Sequence, residues 1–66
     1  MELLLTRHAK VRMAEHAISR EKIKEVIQKG AKVRQTEGLL STYGCIAIAY
    51  KILPDGRYKI KTVIVK

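Results

Sequence analysis

Hydrophobic residues recur between Thr6 and Ile18 with the period of an amphipathic helix. At about 100° per residue, a helix that begins at Thr6 and runs to about Ala17 carries a wide apolar face on one side. The members of that face are Ala9, Val11, Met13, Ala14, Ala17 and Ile18. The Thr6 hydroxyl is placed to cap this helix by accepting a bond from a free N–H group of the first turn.

A second amphipathic helix is predicted between Ser19 and Gly30. Ser19 is a typical N-cap residue, and Gly30 is a typical helix stop. Between them Ile23, Val26 and Ile27 have the i, i+3, i+4 spacing of a buried helix face. The first thirty residues therefore predict a helical hairpin with two apolar faces to cover.

Beyond Gly30 the pattern changes to simple alternation and runs of β-branched residues, which is typical of strands. We predict strands over 31–36, 39–43, 45–53 and 57–65, with turns at 37–38 and 54–56. The strand over 45–53 is the most apolar and is expected at the centre of the sheet. Residues 2–5 form a short strand or an extended lead-in beneath the first helix. The predicted fold class is α+β, a single domain over 1–66 with two N-terminal helices packed on a three- or four-stranded antiparallel sheet.

Length and cysteine content bound the class of protein. A chain of 66 residues has a small core, since a domain of this size buries only about 60% of its unfolded surface, and a homodimer is an open alternative. Cys45 is the single cysteine, so no intrachain disulfide forms and a cytoplasmic location fits best. Its apolar neighbours predict a small core residue rather than a nucleophile. The apolar opening at 2–5 is too short for a signal peptide or a membrane span.

The charge of the chain favours a polyanionic partner. The sequence has 14 Lys and Arg against 6 Asp and Glu, a formal net charge of +8, and this balance attracts the clustered phosphates of nucleic acid. An alternative is that the charge serves solubility or heat resistance alone. A membrane surface is a weaker candidate, because the basic residues are spread over every segment instead of one helix face.

Both histidines lie on the polar stripe of the first predicted helix, with an arginine between them. His8, Arg12 and His16 recur at four-residue intervals, with Glu15 beside them. Metal-independent RNA cleavage needs a base for the ribose 2′-hydroxyl, an acid for the departing 5′ oxygen and a fixed cation for the growing charge, roles that histidine and arginine suit. The alternative is an ordinary solvated helix face. No metal or cofactor is expected, because two turns separate the histidines and Arg12 repels a cation.

The last predicted strand carries a second group of candidate residues. Arg57, Lys59 and Lys61 alternate along it, where they can follow phosphates, and Tyr58 between them can stack on an unpaired base. Thr62 is placed to orient a phosphate or to pack as an ordinary strand residue. The alternative is a solvated sheet face with tyrosines at the edge of the core. Strict alternation puts Tyr58, Ile60, Thr62 and Ile64 on one face and Arg57, Lys59, Lys61, Val63 and Val65 on the other.

The order of these motifs carries a family resemblance. The first helix reads Thr6-Arg7-His8-Ala9 and then Arg12-Met13 before Ile18, the second carries Val26-Ile27, and the chain ends on Lys61-Thr62-Val63-Ile64-Val65. This pattern resembles, over nearly the whole chain, the small family known as domain of unknown function 4258, whose first helix has a Thr-x-His-Ala-x-x-Arg-Met motif. The sequence departs from that family at His16-Ala17, where arginine followed by glycine is more usual.

The resemblance implies a function as well as a fold. The arrangement is similar to that of the RelE and BrnT toxins of toxin–antitoxin systems, small basic proteins that cut RNA without metal. It makes His8 and Arg12 the best candidates for a site, with Thr62 as a third. The leading hypothesis is a toxin-like, metal-independent endoribonuclease or RNA-binding protein with an acidic antitoxin as partner, which requires His8 and Arg12 to share a crevice with Arg57 and Lys59. The alternatives are a non-catalytic nucleic-acid-binding module and a structural or interaction protein.

Overall fold

Seven elements make up the fold, which a computed structural model describes for residues 1–66. The chain begins with a three-residue strand, continues through two ten-residue helices and ends in four strands. The elements are β1 (Leu3–Leu5), α1 (Arg7–His16), α2 (Arg20–Lys29), β2 (Ala31–Gln35), β3 (Gly38–Tyr43), β4 (Ile46–Ile52) and β5 (Tyr58–Val65). The predicted helices and the strands after Gly30 are thus present within one or two residues of their expected bounds.

The five strands form one mixed sheet in the order β1-β5-β4-β3-β2. The last four strands pair antiparallel, and β4 lies at the centre as expected. The prediction of three or four antiparallel strands was wrong, because β1 adds a fifth strand that runs parallel to β5, with Leu4 opposite Lys59. A parallel partner needs a long crossover, and here the two helices and three strands between β1 and β5 provide it.

Side-chain caps begin both helices as the sequence predicts. The Thr6 hydroxyl accepts from the Ala9 N–H group, and the Ser19 hydroxyl accepts from that of Lys22. Thr6 also donates to the carbonyl of Ile60 at 2.9 Å, so the start of α1 is tied to β5. At the end of α1, Ala17 takes a left-handed conformation with φ 53°, where glycine is more usual.

Both helices cover the same face of the sheet, and the core lies between the helices and that face. It comprises Ala9, Ile18, Ile23, Val26, Ile27, Ile48, Tyr50, Ile60 and Val63, with Leu3, Leu5, Met13 and others packed at its edge. The apolar face of α1 is narrower than predicted, because Val11 is 51% exposed and Ala14 and Ala17 are also exposed. Ala9 is the only buried residue of α1, and Met13 packs at the edge of the core.

A β-bulge changes the faces of β5. Ala49 pairs with Thr62 while the next residue, Tyr50, pairs with Ile60, so Lys61 is an extra residue in the ladder. Because an inserted residue shifts the alternation, Ile60 and Val63 both face the core and are fully buried. The predicted grouping was therefore wrong beyond Ile60. The core side of β5 carries Tyr58, Ile60, Val63 and Val65, and the other side carries Lys59, Thr62 and Ile64.

Candidate functional site

The two histidines of α1 are exposed and have no hydrogen-bond or ion-pair partner. Arg12, between them, is half-buried and directed to the sheet, where its Nε donates to the carbonyl of Val63 at 3.2 Å. Its Nη1 lies 3.6 Å from Glu15 Oε1. The three predicted site residues of α1 are thus on one helix, but Arg12 holds α1 to β5 instead of standing free between His8 and His16.

Arg57 does not continue the row of cations on β5. It precedes the strand, in the turn after β4, where its Nε donates to Asp55 Oδ2 at 2.8 Å and its N–H group donates to Oδ1 at 3.0 Å. These two bonds, the backbone one first, lower the pKa of the Asp55 carboxyl below its ordinary value. Arg57 therefore stabilises a turn and has its charge matched locally.

Tyr58 lies on the core side of the sheet, away from the cations. Its ring stacks on that of Tyr50 with centroids 5.8 Å apart. Burial, with a smaller contribution from Tyr58, raises the pKa of the Tyr50 hydroxyl above 10.0. Tyr43 is on the same side, with the Lys22 ammonium 5.6 Å from its ring centre. None of the three tyrosines lies on the sheet face that the helices leave open.

That open face is the most distinctive surface of the protein. Strand pairing arranges its side chains in rows across the sheet. Two rows are mainly apolar or small, Ala31-Thr42-Ala47-Ile64 and Val33-Leu40-Ala49-Thr62. In the third row Lys51 and Lys59 are directly opposite each other, and Leu4 lies beyond Lys59. The open face therefore has an apolar end and a cationic end.

The cationic end brings together Lys51, Lys59 and Lys61. Lys61 Nζ reaches across the sheet and donates to the carbonyl of Glu37 in the β2–β3 turn. Like charges directly opposite in a ladder are destabilising, and no carboxylate pairs with Lys51 or Lys59. Sequence reasoning found Lys59 and Lys61 but missed Lys51. Alternation from the apolar Ile48 and Tyr50 to Lys51 would have placed it on the opposite face from the core.

The sheet as a whole contains no acidic residue. Its strands carry Lys32, Arg34, Lys51, Lys59 and Lys61, whereas every Asp and Glu lies on a helix, in a turn or before β1. On α2, by contrast, Glu25 accepts from Lys22 at 2.7 Å, and this bond raises the pKa of Lys22 and lowers that of Glu25. Every carboxylate of α1 and α2 has a cation partner, whereas no cation of the strands has a carboxylate partner.

The expected crevice between the α1 ridge and the cations of β5 is absent. The structure has one cavity, of about 330 Å³, at the opposite edge of the sheet. It is lined by Arg34, Gln35, Thr36, Gly38, Leu39, Lys51 and Ile52. Neither histidine borders it. Lys59 lies on the sheet face opposite the one that the helices cover, so the structure does not bring His8 and Arg12 together with Lys59.

Two other expectations concern metals and the cysteine. The structure has no group of three His, Cys, Asp or Glu residues close enough to hold a metal ion. Cys45 is exposed, in the turn before β4, so the prediction of a core residue was wrong, because the buried run begins only after it. Neither helix has the length or the apolar composition to cross a membrane.

The fold and site define a small α+β domain with two helices on one face of a mixed sheet. All charged residues in the strands of that sheet are cations. The chain belongs to the family described as domain of unknown function (DUF4258), whose model matches residues 5–65. The resemblance that the helix motif and the strand ending indicate is thereby confirmed.

A solved structure has the same fold. The chain is similar to one in the crystal structure of the toxin–antitoxin complex RelBE2 from Mycobacterium tuberculosis, with a TM-score of 0.70 and 14% sequence identity. The match covers 98% of this chain and 96% of that chain, which confirms the expected RelE-like architecture. No curated protein sequence matches significantly.

Proposed function

We propose that this protein is a toxin-like RNA-binding protein of a toxin–antitoxin type system, and that it binds the phosphate backbone on the open face of its sheet. Lys51 and Lys59 lie directly opposite each other, Lys61 lies beside them, and no strand carries an acidic residue. This cluster of cations without carboxylate partners is the observation that carries the proposal. This arrangement costs stability in the free protein. Phosphates that neutralise the cations would recover that cost and release counterions.

The rows of the open face suit an RNA strand. The lysines supply point charges for phosphates, which position a strand without reading its sequence. Val33 and Ile64, 59% and 38% exposed, supply apolar contacts farther along the same face. Because the tyrosines face the helices, base stacking on aromatic rings is not part of the proposal, and we expect weak sequence preference.

The test compares two double variants that remove equal charge. One is Lys59→Gln with Lys61→Gln on the open face, and the control is Lys10→Gln with Arg20→Gln on the helices, where both residues are exposed and unpaired. Binding of a fluorescent single-stranded RNA is measured at several salt concentrations. The open-face variant should bind at least tenfold more weakly, and its slope of log K against log salt should fall by about 1.4, or about 0.7 for each phosphate that is no longer neutralised.

The control variant should keep most of its affinity. Equal losses in both variants would show that net charge alone attracts RNA, and an absence of binding at low salt would reject the proposal. Thermal melts of both variants establish that each is folded.

A second candidate function, metal-independent RNA cleavage, is favoured by the exposure of His8 and His16, whose rings are free of protein partners. In that function His8 acts as a general acid or base, removing the 2′-hydroxyl proton or protonating the departing 5′ oxygen. The assay is turnover of a mixed RNA in excess EDTA. His8→Ala should abolish turnover with an unchanged melt. Binding without turnover leaves the first proposal intact and rejects this one.

The proposed partner is an acidic antitoxin protein. Its expected behaviour is competition with RNA for the open face, because acidic side chains would meet the same unpaired lysines. Self-association into a homodimer stays a prediction, and size-exclusion chromatography with light scattering measures it directly.

A further inference from the structure

The outer edge of β2 is free along its whole length. β2 is the last strand of the sheet and pairs with β3 alone. Every second residue of such an edge strand directs its N–H and C=O groups away from the sheet. All five residues of β2 are exposed, because α2 lies over β3 and β4 and the strand projects beyond it. This edge can therefore accept a further strand, and it is longer than β1, the three-residue strand at the other edge.

The side chains of β2 alternate between cations and neutral residues. Strand pairing places Lys32 and Arg34 on the side of the sheet that carries the helices, and Val33 between them on the open side. Val33 is 59% exposed. Neither cation has a carboxylate partner, and the Lys32 ammonium donates to the Gly30 carbonyl. The edge is thus an unpaired backbone flanked by two unmatched positive charges and one exposed apolar side chain.

A second copy of this chain is a poor partner for this edge. Lys32 and Arg34 are the only residues of β2 on their side of the sheet. An antiparallel pairing of two β2 strands in one continuous sheet would therefore set a cation directly opposite a cation in every register that pairs these residues. Like charges in that position are destabilising, and cationic side chains commonly keep edge strands from self-association.

We infer that the free edge of β2 binds an extended, acidic segment of a partner protein as an added strand. Backbone hydrogen bonds to β2 hold the segment, and its alternate side chains give specificity. Carboxylates at alternate positions of the segment lie beside Lys32 and Arg34, and an apolar residue between them packs against Val33. The lysines of the open face lie on β4 and β5, beyond β3, so the inference does not rest on RNA binding.

The probe is a nine-residue peptide of alternating glutamate and valine, which is titrated into ¹⁵N-labelled protein and followed by two-dimensional NMR. We expect saturable shifts of the amide signals of residues 31–35 and slower hydrogen exchange at alternate residues of β2, whose N–H groups become bonded. A peptide of the same composition with its glutamates in one block should bind about tenfold more weakly, because its carboxylates no longer share one face of a strand. Shifts that do not saturate, or equal binding of the two peptides, would overturn the inference.

Methylation of the peptide backbone tests whether the peptide binds as a strand. The N–H groups of alternate residues point to opposite edges of a strand. Methylation of every glutamate nitrogen and methylation of every valine nitrogen therefore block opposite edges of the peptide. We expect one methylated peptide to lose binding and the other to keep it. An equal effect of the two methylations would reject an added strand.

A matched pair of variants separates the edge from general charge. Arg34→Glu should weaken binding of the glutamate peptide about tenfold, because an attraction becomes a repulsion. The same variant should bind a peptide with lysine in place of each glutamate more tightly than wild type does. The control is Arg20→Glu, at an exposed and unpaired position of α2, and it should change neither affinity. Equal effects of the two variants would overturn the inference, and thermal melts establish that both are folded.

RNA binding is measured on the same protein. Peptide binding by a protein that binds no RNA would uphold this inference and reject the proposed function, and RNA binding without saturable peptide binding would do the reverse. A wild-type dimer whose β2 amides are protected without peptide would also overturn the inference, because a second copy would then occupy the edge.

Discussion

The two faces of the sheet are built by opposite rules. On the covered face, Ser41, Ile48, Tyr50, Ile60 and Val63 are buried, and the Ser41 hydroxyl donates to the Val26 carbonyl at 2.6 Å. On the open face, Val33 and Ile64 are 59% and 38% exposed, and Lys51 lies opposite Lys59 without a carboxylate partner. Burial requires that polar groups be satisfied, whereas a solvated face tolerates unmatched charge. The difference indicates that the covered face maintains the fold and the open face is available for a partner.

The largest predicted effect compares two isoleucines of β5. Ile60 is fully buried and Ile64 is 38% exposed on the other face. We expect Ile60→Ala to lower the free energy of unfolding by about 2–5 kcal/mol and Ile64→Ala to lower it by less than about 1 kcal/mol, measured by urea denaturation. Equal losses would mean that the open face is covered in solution, as in a homodimer.

The next effect concerns the arginine that joins α1 to the covered face. Arg12→Met keeps the aliphatic stem but removes the bond to the Val63 carbonyl, and we expect a loss of about 1–2 kcal/mol, since Arg12 is partly exposed. The control is Arg7→Met, at an exposed position with no partner. An unchanged melt together with a loss of RNA binding or cleavage would instead make Arg12 a site residue.

A smaller effect, of opposite sign, is expected on the open face. Lys59→Glu turns the repulsive pair with Lys51 into an attractive one, so we expect a gain in stability of about 0.2–1 kcal/mol at low salt. Salt should reduce the gain. The same variant should bind RNA more weakly, because an attraction to phosphate is replaced by a repulsion. A loss of stability would show that the two lysines are not in contact across the strands.

The last effect is confined to alkaline pH and concerns the covered face. Because burial raises the pKa of Tyr50 above 10.0, the folded state holds the phenolic proton more tightly than the unfolded state. This stabilisation is complete below the unfolded pKa and is lost as the pH rises through the folded pKa. As the pH rises above 9, we expect the free energy of unfolding to fall less for Tyr50→Phe than for wild type. The midpoints of urea denaturation at each pH measure this difference. Parallel losses would contradict a buried, neutral hydroxyl.

Local features of the fold were predictable from the sequence, and features that join distant segments were not. The Thr6 and Ser19 caps, the end of α2 at Gly30 and the turn before Arg57 each depend on residues within a few positions of one another. The pairing of β1 with β5 joins residues more than fifty positions apart. No periodicity within three leucines reveals that partner, so the short strand was anticipated but its parallel pairing with β5 was missed.

The candidate site shows the same division. Lys59, Lys61 and Thr62 were identified from one strand, but Lys51 was missed, and Arg57 and Tyr58 turned out to contact Asp55 and Tyr50. A single inserted residue at Lys61 decided which side chains of β5 face the helices. Since a bulge exists only relative to a paired strand, alternation within β5 alone did not reveal it.

By itself, the sequence determined the two capped helices, the central apolar strand, the net charge of +8 and membership in the DUF4258 family. Only the tertiary structure decided that Arg12 binds a carbonyl, that Lys51 opposes Lys59, and that Arg34 and Lys51 border one cavity. The physical reason is distance along the chain. Caps and periodicity arise from neighbouring residues, whereas the register between strands and the face that the helices cover depend on the packing of the whole domain.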